Sequence, residues 1–449
     1  MPNSLFRSLA LVSAVALVPA ATSSIAAVDA STYRELEQFM NVFERVRSEY
    51  VEQVDDKTLL RGAIDGMLNS LDPHSSYLDE RGFQSLMTST DGNYGGLGLN
   101  VTLEDGAVKV IAATEDTPAH RAGIKAGDYI THIDGKLIYD GTLDEAVDQM
   151  RGRPGTGLKV TIVRPGRDKP FDVQLTRAII EVPAVKWEIK DRVGVINVNT
   201  FNKTTTEATL AAMTAIDKSL GGKPLGYVLD LRSNPGGLLD QAVSLSDAFL
   251  NSGEIVSQRG RKKGDIERYF ARPGDAAEGL PVIVLVDSGS ASAAEIVAAA
   301  LQDHRRAIVM GERSFGKGSV QTLLPLPGRD QTALRLTTAR YFTPSGRSVQ
   351  EGGVTPDIEV PQLSDPDYKD KPKFREADLR RHLINEVKVD DSVLQDDGKP
   401  DPRFAATADQ LKKQGVTDFQ LSYALKTITR LGAVQQAQAG GAPRKAGSR

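Results

Sequence analysis

The chain contains no cysteine. Thiol nucleophiles, disulfides and thiolate metal sites are therefore excluded. Histidine is scarce: His74, His120, His132, His304 and His382 are scattered without metal-ligand spacing, and nothing in their placement supports a Ser-His-Asp triad. No block of one charge sign stands out in a net charge of −4, so there is no electrostatic case for nucleic acid or for an anionic membrane surface. Long apolar runs are missing as well, apart from residues 9–21. That run is short for a membrane span and carries Pro19 near its end. With Arg7 before it and Ser24-Ile25-Ala26-Ala27 after it, it has the layout of a cleaved secretory signal. Residues 1–27 are expected to be removed, which places the mature protein in the cell envelope, most simply the periplasm. An uncleaved anchor, and hence membrane association, is the alternative.

What is present centres on residues 281–321. Val282 to Val286 is an unbroken aliphatic run, as expected for a strand covered on both faces. It ends in the turn formers Asp287-Ser288-Gly289-Ser290, and an alanine-rich helix follows. Ser292 stands where the strand has ended and the helix begins, so backbone N–H groups and the positive helix end are at hand to hold an oxyanion. Ser292-Ala293-Ala294-Glu295 is also a capping box, which gives Ser292 a purely structural reading. Ser288 and Ser290 compete with it as nucleophiles.

The next loop, Gly311-Glu312-Arg313-Ser314-Phe315-Gly316-Lys317, fits the first seven positions of a phosphate-binding loop. The Ser or Thr that should follow is Gly318, and the segment beyond reads as a strand instead of a phosphate-binding helix. Lys317 is better read as a general base. An amine activates a serine only when neutral, which requires apolar surroundings and no permanent carboxylate partner. In an extended segment the even spacing would put Gln321 on the same face, where its amide could orient the amine without protonating it.

Around this stretch the pattern alternates. Strands at 193–201, 226–231 and 281–286 and helices at 205–220 and 238–250 indicate a largely parallel sheet, with active groups at the carboxyl ends of its strands. Gly236-Gly237 falls at such an end, and its backbone N–H groups can approach a substrate carbonyl without side-chain interference. A plain tight strand-to-helix turn is the competing reading. Residues 93–178 form another unit. Gly95-Gly96-Leu97-Gly98-Leu99 leads into a strand, Ala122-Gly123-Ile124-Lys125-Ala126-Gly127-Asp128 makes a short helix and turn, and residues 158–164 are the last core strand.

These residues resemble the carboxyl-terminal processing (tail-specific) protease family. The resemblance rests on Ser290-Ala291-Ser292-Ala293-Ala294-Glu295, Gly311-Glu312, Phe315-Gly316-Lys317-Gly318-Ser319-Val320-Gln321, Asn234-Pro235-Gly236-Gly237 and Leu71-Asp72-Pro73-His74-Ser75-Ser76-Tyr77. It implies Ser292 as nucleophile, Lys317 as general base, Gln321 in support, and no cofactor or metal. With it, the expected oxyanion pairing is Gly237, with Gly236 as the alternative, and Ala293. It also implies that residues 93–178 are a PDZ domain, whose glycine loop at Gly95–Leu99 holds a substrate's C-terminal carboxylate. The family uses this domain as a gate, and Arg164 is the candidate contact. The expected layout is a signal peptide (1–27), a helical segment (28–92), the PDZ domain (93–178), an α/β catalytic core (179–360) and a C-terminal helical region with a disordered tail (361–449). Partners implied are protein substrates with free C-termini, an adaptor, and further copies of the chain. A catalytically dead peptide-binding scaffold and a related acyl-transfer enzyme are the competing readings. The joint presence of Ser292, Lys317 and Gln321 speaks against the scaffold, and the tail-binding unit against the acyl-transfer enzyme.

Overall fold

A computed structural model describes residues 29–104, 106–138, 142–328, 331–387 and 403–440, with only the backbone of 435–440. The expected signal at 1–27 lies outside them. The chain divides into two units, 1–66 and 67–449. The first contains helix α1 (Ala30–Glu49), which has no buried residue, and most of α2 (Asp56–Asn69).

The second unit opens with a short strand, β1 (Ser76–Leu78), and helix α3 (Glu80–Asp91), capped by Asp79 and closed by Gly92 in the left-handed conformation. Two strands follow, β2 (Asn93–Gly96) and β3 (Leu99–Glu104), then β4 (Ala107–Ala113), α4 (Pro118–Arg121), β5 (Tyr129–Ile133), β6 (Lys136–Leu137), α5 (Leu143–Met150), β7 (Gly157–Val163), β8 (Phe171–Thr176) and β9 (Ala178–Glu181). Strands β3 to β8 form an antiparallel sheet in the order β3-β4-β5-β7-β8, with β6 on β5. Its own core of Leu97, Val108, Val110, Ile130, Leu158, Val160 and Ile162 marks it as a separate packing unit. The sequence placed the last core strand at 158–164; β8 follows it and completes the sheet, while β9 pairs with β2.

The core sheet runs β10 (Val185–Lys190), β11 (Val193–Val198), β12 (Tyr227–Asp230), β15 (Val282–Val286), β16 (Ile308–Gly311), β19 (Ile358–Glu359). Strand β10 is antiparallel to β11, and every later neighbour is parallel. The aliphatic run of β15 is explained by burial on both faces. Val282, Val284 and Val286 pack with α6 (Thr205–Leu220), α7 (Leu239–Asp247) and α8 (Ala293–Asp303), whereas Ile283 and Leu285 meet Leu421, Ala424, Leu425 and Ile428. Those four residues lie on the last helix, α10 (Phe419–Gly440), which follows the short α9 (Ala408–Lys413).

A second, antiparallel sheet was not foreseen. It joins β13 (Glu254–Gly260), β14 (Ile266–Phe270), β17 (Ser319–Pro325) and β18 (Ala333–Phe342) to β1 from the N-terminal segment. Residues 254–270 thus supply two of that sheet's five strands. The C-terminal region differs in two places from the helical region with a disordered tail expected at 361–449. Residues 377–384, whose composition reads as a helix, make only the end of a 3₁₀ turn at Glu376–Asp378, because long-range bonds such as Glu376 N–H to Phe315 O (3.1 Å) replace helical ones. The low-complexity stretch from Gln435 continues α10 to Gly440, as its alanines and glutamines favour helix once nucleated.

Candidate active site

Ser292 precedes α8 with φ 55° and ψ −113°, a strained conformation that nonglycine residues adopt at functional turns. Strand β15 ends in the tight turn that creates it. Asp287 N–H donates to Ser290 Oγ (2.9 Å), and Ser290 Oγ donates to Leu231 O (2.8 Å). Ser290 is therefore a buried tie, and its hydroxyl is not available as a nucleophile. Ser292 is half-buried, between Ala291 and Ala293 in the wall.

The main side-chain tie between the lysine loop and the serine turn is Glu295. Glu295 is fully buried, and its Oε2 accepts from Ser292 N–H (2.7 Å) and Lys317 N–H (3.0 Å). Its Oε1 accepts from Gly316 N–H (2.7 Å) and Ser314 Oγ (2.5 Å). Burial pushes the Glu295 carboxyl up to about 7, against the pull of these four donors. A second link is buried Tyr341, whose hydroxyl donates to Lys317 O and to Ser292 O (3.3 Å). Sequence reasoning saw Glu295 only as support for the helix start. Its tie to the lysine loop was invisible because the loop is remote in sequence.

Lys317 itself is half-buried on the loop before β17. Burial drives its amine below the ordinary lysine range, and nearby Arg335 pushes the same way; Glu376, Glu295 and Asp72 oppose. Among the described residues no ion pair engages its ammonium.

The Gly236-Gly237 turn lies against Ser292. A Cβ on Gly236 would sit 2.8 Å from Ser292 Cβ and 2.9 Å from Ala293 N. The two glycines differ in what their N–H groups do. Gly236 N–H donates to Asn234 Oδ1 (2.8 Å); Gly237 N–H and Ala293 N–H have no hydrogen-bond partner among the described residues. Gly237 also needs to be glycine, with φ 146° and a Cβ position only 2.1 Å from Phe201 O.

Gln321 does not meet the expectation set by spacing. Lys317 lies outside β17, and the β17–β18 register shifts between Val320 and Gln321. The extra residue of that bulge, Thr338, is on β18, so alternation along β17 is intact; the even-spacing argument lapses because Lys317 precedes the strand. The Gln321 amide nitrogen donates to Ser319 Oγ (3.0 Å) and Thr337 Oγ1 (3.1 Å), and among the described residues no hydrogen bond joins it to the Lys317 amine.

Comparison with known proteins adds the remaining fact. A carboxy-terminal-processing protease of Bartonella bacilliformis is 51% identical over 362 residues, covering 80% of this chain and 83% of that protein. The chain belongs to the carboxy-terminal processing protease family. Residues 192–360 match peptidase family S41, 95–175 a PDZ domain, and 13–82 the activating protease CtpB N-terminal domain. The carboxy-terminal processing protease CtpA of Bacillus subtilis is 35% identical over 76% of this chain and 72% of its own length. A solved photosystem II D1 C-terminal processing protease aligns over 74% of this chain and 93% of its own, at 28% identity and a TM-score of 0.42.

In this carboxy-terminal processing protease the PDZ residues are redistributed relative to the sequence reading. Gly95 and Gly96 are strand residues of β2, paired with Ile179 and Ala178 of β9. A glycine run reads equally as loop or as extended chain. The turn itself is Leu97-Gly98, entering β3 at Leu99; Leu97 is buried, and Gly98, at φ 78°, packs against Thr117. Arg164 is engaged inside the domain. Its Nε and Nη2 bind Asp128 (2.6 and 2.8 Å), and Nη2 also reaches Gly123 O (2.8 Å). With its fork committed to a buried carboxylate, Arg164 is a structural tie of the PDZ domain, not a free contact at its edge.

Proposed function

We propose that this family member cleaves exported proteins near their C-termini by acyl transfer, with Ser292 as nucleophile and Lys317 as general base. The observation that carries the reading is the single Glu295 oxygen that binds the backbone N–H of both residues. Neutral Lys317 takes the Ser292 Oγ proton as Oγ bonds to the scissile carbonyl carbon. The carbonyl oxygen, now anionic, is held by the N–H groups of Gly237 and Ala293, which are otherwise unpartnered. The lysine ammonium returns the proton to the leaving amine as the C–N bond breaks. Lys317, neutral again, then deprotonates the water that hydrolyses the acyl-enzyme and restores Ser292. Gln321 acts at a distance on this account, fixing β17 through Ser319 and Thr337.

The PDZ domain supports a substrate with a free C-terminal carboxylate, captured at the Leu97–Leu99 turn beside β3 and raising its local concentration at Ser292. The apolar run at 9–21 supports export to the periplasm. Among the described residues no helix is long and apolar enough to cross a membrane. Ser292→Ala and Lys317→Ala are each expected to lower kcat by several orders of magnitude on a peptide substrate. The double variant should be little worse, because groups that act as a unit are not additive. Near-native turnover in either single variant would refute the assignment.

A further inference from the structure

The lysine loop is fastened on its other side by residues from both flanks of the catalytic core. Glu376, in the 3₁₀ turn after the core, is fully buried. Its backbone N–H donates to Phe315 O (3.1 Å). Its Oε1 accepts from Gln350 Nε2 (3.0 Å), and Gln350 Oε1 accepts from Gly318 N–H (2.9 Å). Glu376 thus holds both ends of Phe315-Gly316-Lys317-Gly318, while Glu295 holds the middle. The other ligand of Glu376 is His74, whose Nε2 lies 3.0 and 2.8 Å from the two carboxylate oxygens. A carboxylate only accepts, so His74 Nε2 carries the proton. His74 lies in the Leu71–Tyr77 motif, where Asp72 accepts from His74 N–H (2.8 Å), Ser75 Oγ (2.7 Å) and Thr337 Oγ1 (3.1 Å). Thr337 in turn receives the Gln321 amide.

We propose that His74 and Glu376 are positioning residues for the reaction: a half-buried imidazole on a buried carboxylate, one partner from each flank of the core, that fixes the lysine loop through Phe315 and Gln350. This rests on the Ser292–Lys317 reading. It gives a role to a motif that otherwise reads as a turn, and it makes the catalytic core dependent on segments outside residues 192–360. The charged groups facing Lys317 are Arg335 on β18, Glu295 on α8, Asp72 before β1, and Glu376. A second pair, His382 with Glu351 (2.9 Å), adjoins Glu376. Of these, only Glu376 combines a charge that favours the ammonium with a hold on both ends of the loop.

The test uses the full chain and a peptide with a free C-terminus. His74→Ala is expected to lower kcat on the order of a hundredfold with little change in KM, as misplacement of a catalytic group does. His74→Gln, which keeps an N–H near the Nε2 position, should recover most of that loss. Glu376→Gln removes the negative charge with little change of shape, which disfavours the ammonium. The rising limb of its pH–rate profile should therefore move to lower pH, a readout that survives a reduced rate. Wild-type kcat in His74→Ala would overturn the proposal. So would equal loss in His74→Ala and His74→Gln together with an unmoved limb in Glu376→Gln. Ser292→Ala, run alongside, separates the two levels: full turnover there would remove the catalytic assignment itself, whatever His74 does.

Discussion

A lysine serves as a base only where its surroundings refuse the charge that water would stabilise. At Lys317 that refusal comes first from burial and then from Arg335, while three carboxylates work against it. The folded protein therefore binds the Lys317 proton less tightly than the unfolded chain does. By linkage, stability gains as pH rises from the depressed folded value toward that of a solvated lysine. Lys317→Met removes the buried ammonium with similar volume, so it is expected to abolish activity yet raise the melting temperature at neutral pH, with the gap to wild type narrowing as pH rises. Thermal melts at several pH values check this, and a Met variant less stable than wild type at neutral pH would contradict it. Ser292, Lys317, Ala293 and Gly237 enter the proposed site from turn chemistry and the resemblance, which both single them out. The part played by Glu295 was not legible, since a capping-box glutamate looks the same whether or not a distant loop also binds it. The spacing argument for Gln321 lapsed because the strand begins only at Ser319, after Lys317, a boundary the extended pattern did not mark.

At the scale of elements, the central strand was readable because five successive aliphatic residues leave no exposed face. What covers its second face was less so. Ile428 of α10 is fully buried against β15 and its neighbours, and Ile428→Ala is expected to cost about 2–5 kcal/mol of unfolding free energy in denaturant titrations. A loss well under 1 kcal/mol would show that α10 is dispensable to the core. The antiparallel sheet escaped the sequence reading because its pairings are remote: Tyr77 meets Leu334, and Gln258 meets Tyr341. Local patterns reveal that a stretch is extended, but not which partner completes it. The same remoteness hid the contribution of Glu376, whose neighbours at 377–384 carry a helical pattern that long-range bonds override.

Across the whole molecule, the PDZ domain and the catalytic core are distinct packing units on one chain, and the family places a tail-binding module beside a protease. Two peptides that differ only in a C-terminal carboxylate or amide should separate tail recognition from generic cleavage. The acid is expected to be cleaved faster at subsaturating concentration, and equal rates would refute carboxylate capture. Arg164→Ala should act differently from a gate variant. Burial would push Asp128 up, but Arg164 and the Lys125 N–H hold it below the ordinary carboxylate range. Removing Arg164 strands that buried charge, so the variant should lose about 3–5 kcal/mol of stability while keeping its preference for the acid at temperatures where it is folded.

The central claim is that a neutral Lys317 removes the Ser292 proton. It is tested most directly by the pH dependence of the single-turnover acylation rate of Ser292. The rate is expected to rise with pH and level off, with a midpoint well below that of a solvated lysine, and Lys317→Arg should show no such limb because a guanidinium stays charged. An acylation rate that is flat with pH in the wild type, or a Lys317→Arg protein that retains the wild-type profile, would contradict the account.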